Sequence, residues 1–257
     1  MYTNENSMTL HAADQTAVIY IPEVHKKIIV NVSGGADSAM LLWQVLTYLR
    51  QQDRILDEIR VLTGVDTFRP ANEWNAVEVY LAIEEQFPEQ NFYHDIFKYE
   101  KRGLKRDYHV AYELILKEEQ GFYCMLHGRT ENPPIEEQKL VTYNAYGKNP
   151  GTTMYTDASR PSERESTSTI KKSISSWYSS DLKAYQFWSA PFDNVNKKFI
   201  AELYKNEPYM MEVVYPSTAS CVSDVMKDTN YWQAPCKQCW WCQERYWAFG
   251  SFDGGVQ

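Results

Sequence analysis

No stretch of the chain reaches the roughly 18 consecutive apolar residues of a membrane-spanning helix, so no span is expected. The opening residues, "MYTNENSMTLHAADQ", have no basic segment leading into an apolar one, and so do not read as a secretory signal. Basic charge is short as well. Lys and Arg number 26 against 34 Asp and Glu, a formal net charge of −8. That argues against general nucleic-acid binding, which rests on basic side chains neutralising phosphates. Internal repeats are missing. Cysteine is sparse, with Cys124 alone before Cys221. These absences point to a cytoplasmic protein whose thiols stay reduced, catalytic or metal-bound. What is present is apolar bulk: 44% hydrophobic and 14% aromatic residues in a chain of 257, enough for one sizeable core.

The first half alternates in period. A β-branched run at 26–32 predicts a strand, and apolar residues at helical spacing predict a helix from about Ser38. Strands are then expected at 58–65, 91–97 and 121–128, with helices at 71–87 and 106–120 between them. Alternation of this kind predicts an α/β fold with a doubly wound, mostly parallel sheet, whose ligands bind at the carboxyl ends of the strands. The pattern lapses at 131–181, where "TDASRPSERESTSTIKKSISSWYSSD" reads as a polar insertion: a surface loop, a lid, or a segment ordered by a ligand. Order returns with a strand near "KAYQFWSAPF" and a helix over 194–206, for which Asn194 or Asn196 is the candidate N-cap. The expected organisation is an N-terminal extension at 1–25, a main domain at 26–212 and a C-terminal segment at 213–257.

"SGGADS", residues 33–38, lies between the first main-domain strand and its helix. Glycines there let the main chain approach an anion without a Cβ in the way, and amides at a helix N-terminus suit phosphate oxygens. Ser33 and Ser38 add hydroxyls, while Asp37 suits a Mg²⁺ ion or an internal role in the turn. No Gly-Lys-Ser/Thr follows, so this is not a Walker A loop. Taken alone, a Gly-Gly pair is equally a tight turn before a helix cap.

Four cysteines gather near the end: Cys221, then Cys236, Cys239 and Cys242 at two-residue separations. Four thiolates with no open position suit a closed, structural Zn²⁺ site, and an iron–sulfur cluster is the rival that spacing does not separate. The nearby aromatics, from Tyr231 and Trp232 to Trp247 and Phe249, fit the packing of a small metal-bound appendage or, less simply, the stacking of nucleobases. Cys124, in an apolar run, reads as a small buried hydrophobe.

"SGGADS" resembles the PP-loop of the ATP pyrophosphatases, which cleave ATP between its α and β phosphates and adenylate a substrate. Three further stretches resemble the 7-cyano-7-deazaguanine synthases of queuosine biosynthesis: "APFDNVNKKFIAEL", "TASC" and "CKQCWWCQERYWAF". The resemblance runs in order from Val30 to Phe249. It implies a ligase that adenylates a carboxylate or amide of a purine-like base such as 7-carboxy-7-deazaguanine and uses ammonia to form an amide or nitrile. Ser33, Gly34, Gly35, Asp37 and Ser38 would then hold ATP with Mg²⁺, and Lys197 would offset developing negative charge. Arg129, in "HGRTEN", would contact phosphate or carboxylate, and Cys221, Cys236, Cys239 and Cys242 would bind zinc.

The family's tyrosine-proline-aspartate-cysteine-arginine stretch is not recognisable in "RTENPPIEEQKL". "GVDTFRPANEW" resembles instead the valine-aspartate-threonine turn of phosphoadenosine phosphosulfate reductases. Two alternatives follow: a sulfur-transfer enzyme of the reductase or thiolase type, and a nucleotide- or partner-binding module without turnover. A homodimer is left open.

Overall fold

The structure is a computed structural model that describes residues 3–4, 7–21, 23, 25–66, 71–99, 122–128, 130–131, 133, 174–179, 184–221, 235, 237 and 240–252. The expected helix at 106–120, Arg129, Cys236, Cys239 and most of the polar insertion lie outside these residues.

Three short strands come first: β1 (Thr3–Asn4), β2 (Ser7–Ala12) and β3 (Gln15–Tyr20), paired antiparallel in the order β1-β2-β3. The turn between β2 and β3 places Ala13 at φ 46° and Asp14 at φ 56°. A two-residue turn with both φ values positive matches the twist of a hairpin. Alternation along β2 and β3 buries Met8, Leu10, Ala17 and Ile19, which join the same core as the larger sheet. The segment read from sequence as an extension is thus packed into the main body.

The main sheet contains β4 (Lys27–Asn31), β5 (Glu58–Asp66), β6 (Phe92–Tyr99), β7 (Phe122–His127), β8 (Ile174–Ser179) and β9 (Ala184–Ser189). Its order is β6-β5-β4-β7-β9-β8, parallel except for β8, which pairs antiparallel with β9 at the edge. The polar stretch 131–181 therefore contains a strand. Its "ISSWYS" carries no aliphatic alternation, and antiparallel pairing with β9 places it in the sheet. In β4, Ile28 and Val30 enter the core that holds the first helix, while Ile29 points the other way and is fully buried too. A strand buried on both faces is the reason for the unbroken β-branched run.

Helix α1 (Ala36–Gln51) connects β4 to β5, and α2 (Ala71–Glu84) connects β5 to β6. Helix α3 (Lys197–Asn206) packs against both α1 and β2. Asn196 is its N-cap, the carboxamide oxygen accepting from the Lys198 amide at 3.0 Å. A π-helical turn (Met210–Val214) runs into a short helical piece (Tyr215–Ser217), and α4 (Trp240–Phe249) closes the described chain against α3. The molecule is an α/β protein with a parallel sheet flanked by helices. No described helix is long and apolar enough to cross a membrane.

Candidate functional site

Strand order reverses between β4 and β7: from β4 the chain moves outward to β5 and β6, then returns to β7 on the other side. Open α/β sheets place their ligands at such a switch point, at the carboxyl ends of the strands. Residues 33–38 follow β4 there, and residues 128, 130 and 131 follow β7.

Within the turn, Ser38 Oγ accepts from the Ser33 amide at 3.1 Å and donates to Gly35 O at 3.1 Å. Ser38 is buried, and its hydroxyl staples the turn from inside; Ser33 is the exposed hydroxyl. Gly35 caps α1 in an extended conformation with no side-chain cap. Among the described residues, nothing accepts from the amides of Gly34, Gly35, Ala36 and Asp37. Uncapped amides at a helix start carry partial positive charge and attract an anion.

Gly34 must be glycine. Its φ is +77°, and a Cβ there would lie 2.9 Å from the Ala76 amide nitrogen on α2. The turn is also held from behind, because Ala219 donates its amide to Gly34 O at 2.9 Å and Asn75 Nδ2 donates to Ser217 O at 2.9 Å. Gly128 has the second strict requirement. A Cβ on it would sit 2.6 Å from Ser38 Cα, so the β7 loop lies directly on the first turn of α1.

That contact brings the charged residues together. Thr130 donates its hydroxyl to Asp37 Oδ2 at 3.1 Å. The Lys197 ammonium lies 3.2 Å from the same oxygen and 3.5 Å from Glu244 Oε2. Asp37 Oδ1 is buried and has no hydrogen-bond partner among the described residues. A buried carboxylate oxygen left bare is costly unless a cation or donor completes it, so this atom fits a bound Mg²⁺ ion. Tyr204 of α3 donates its hydroxyl to Ala36 O at 3.1 Å. Burial above all pushes its phenol well above the ordinary range, so it stays a neutral donor.

Of the residues picked from sequence, Ser33, Gly34, Gly35, Asp37, Ser38 and Lys197 therefore converge from two elements far apart in the chain. Cys221 is half-buried and Cys242 buried, at the two ends of the segment carrying the other two thiols. Among the described residues no His, Cys, Asp or Glu cluster is arranged for a metal.

Further contributors were not apparent in the sequence. Thr130 and Glu244 are two of them. Another is the hairpin: Gln15 Oε1 accepts from the Asn196 amide at 2.8 Å and Gln15 Nε2 donates to Asn196 Oδ1 at 3.1 Å, immediately before Lys197. A fourth is Arg245, fully buried, which donates to the Tyr215 hydroxyl and carbonyl and to Thr218 O and Oγ1. Its guanidinium also stacks 4.1 Å over the Tyr215 ring. Two of the described C-terminal aromatics pack on the main body: Phe249 stacks on Tyr215 at 4.6 Å, and Trp247 lies under the Lys198 ammonium.

Fold and site together define an α/β protein with a parallel sheet flanked by helices and a glycine turn at its topological switch point. No protein-family model matches the sequence, and no curated protein matches it.

Proposed function

We propose that the protein is an ATP-dependent ligase that adenylates a carboxylate or amide of a purine-like base, 7-carboxy-7-deazaguanine or a relative, and uses ammonia as the nitrogen donor. The observation that carries the reading is the run of amides from Gly34 to Asp37 that have no acceptor among the described residues, on the same turn as Asp37, whose Oδ2 the Lys197 ammonium meets and whose Oδ1 is without a described partner. The order of the matched motifs, from the glycine turn to the cysteines, supports the choice of substrate class.

On this reading the turn amides and Ser33 hold the β and γ phosphates, as a helix N-terminus holds any phosphate. Asp37 is the ligand for a Mg²⁺ ion, which would neutralise phosphate charge when bound. Lys197 stabilises the charge that builds on the α phosphate as a substrate oxygen attacks it and pyrophosphate leaves. Ammonia then adds to the activated carbon and AMP departs, giving the amide. A second adenylation, on the amide oxygen, allows loss of AMP and of the amide protons to the nitrile. The site needs little acid–base machinery, since positioning and charge neutralisation supply most of the acceleration. Cys221, Cys236, Cys239 and Cys242 would hold Zn²⁺ in a structural role.

The test is incubation with ATP, Mg²⁺, ammonium and 7-carboxy-7-deazaguanine. The expected products are AMP and pyrophosphate in equal amounts, formed only when the base is present. ADP and phosphate, or no turnover at all, would refute the assignment.

A further inference from the structure

Lys197 reaches Asp37 from the first turn of α3, and a lysine side chain has much rotamer freedom to lose before it can contact a ligand at a fixed place. In this protein that freedom is already removed. The side chain is 5% exposed, and its ammonium is held between two carboxylates on different elements, Asp37 of α1 and Glu244 of α4.

The two posts are not equivalent. Asp37 belongs to the glycine turn, is partly exposed, and keeps an oxygen without a described partner for another cation. Once it binds one, its hold on Lys197 weakens, because the carboxylate charge is shared. Glu244 has no exposure at all, beyond the reach of ligand or solvent. Its backbone is fixed as well. The next residue, Arg245, ties α4 to Tyr215 and Thr218, and Ala219 in turn holds Gly34 O. A buried carboxylate on an anchored helix is therefore the post that stays when Asp37 is engaged.

We infer that Glu244 is a positioning residue, which keeps the Lys197 ammonium over the glycine turn so that it meets the phosphates of an arriving nucleotide. The inference rests on the nucleotide reading of the site and adds the C-terminal helix to its machinery. Glu244 touches no substrate; it acts through Lys197.

A double-mutant cycle tests this, read by calorimetric titration of the full chain with Mg²⁺ and a non-hydrolysable ATP analogue. Glu244→Gln, which keeps shape and loses charge, is expected to weaken binding about 10-fold in the natural chain, in line with a charge-assisted contact. In a Lys197→Met background the same change is expected to alter affinity by no more than about 2-fold, since the residue it acts through is gone. An equal factor in both backgrounds, or none in either, overturns the inference while leaving the nucleotide reading intact. A natural chain that does not bind the analogue refutes that reading and this inference with it. If Glu244→Gln does not fold, Glu244→Asp replaces it, keeping the charge but withdrawing it by one methylene, with the same expected pattern across the two backgrounds.

Discussion

Asp37 is the residue on which the electrostatics of the site turn. One of its oxygens is shared by Thr130 and Lys197, and the other has no described partner. Asp37→Asn keeps the shape and the Thr130 contact but halves the attraction for a divalent ion. The Mg²⁺ concentration giving half-maximal pyrophosphate release should rise about 10-fold or more, the usual sensitivity of a hard-cation site to one carboxylate. An unchanged Mg²⁺ dependence would remove the cation from this oxygen.

His94 makes a prediction of a different kind. Its Nε2 lies 2.8 Å from Thr63 Oγ1, whose hydroxyl donates to Val32 O, so Nε2 carries a proton and is the donor. Burial lowers its pKa below the ordinary value, with Asp95 and Glu84 opposing more weakly. A histidine depressed in the folded state contributes stability above its unfolded pKa, about 6.5, and loses it as pH falls through that value toward the folded one. Thermal unfolding midpoints should therefore drop between pH 7 and pH 5, and His94→Asn should flatten that slope. An identical slope in the variant would show that His94 is not responsible.

Among elements, the hairpin of β2 and β3 has the clearest testable consequence. Met8 is fully buried in the core shared with the main sheet. Met8→Ala should cost about 2–5 kcal/mol in denaturant unfolding, the range for deleting a buried side chain of this size. A cost near zero would mean that the hairpin is an appendage with its own weak packing. This element also shows where sequence reading stops. Strand β4 announces itself, because both its faces are buried and its run is β-branched before the glycines, and β7 reads in sequence as an apolar run between glycines. The hairpin turn carries Ala13 and Asp14 rather than Asn-Gly, so its turn chemistry is silent, and β8 is a strand only because β9 is beside it.

The same divide runs through the site. The glycine turn was legible because a left-handed turn running straight into a helix start calls for glycine in one short stretch. Lys197 could be placed only by resemblance. Glu244 gave no signal, since a glutamate between a glutamine and an arginine looks like any solvated helix residue until α4 is docked. Thr130 depends in the same way on Gly128 lying against Ser38, a contact between segments some 90 residues apart that no local pattern encodes.

Across the whole molecule, the last segment ties into the first turn twice, through Glu244 to Lys197 and through Arg245 to the stretch that holds Gly34. Cysteines flank both connections. The purified protein should be colourless, with one zinc per chain bound by four thiolates. Chelation should lower the unfolding temperature, because metal binding of this type is coupled to folding. A brown protein containing iron and sulfide would replace the zinc assignment with a cluster and favour sulfur chemistry.

The most direct measurement is a calorimetric titration of the intact protein with ATP in the presence of Mg²⁺. The account predicts binding at a single site, competed by pyrophosphate and weakened by Lys197→Met. Absence of any binding heat across a range of temperatures, or binding that pyrophosphate does not compete, would contradict it.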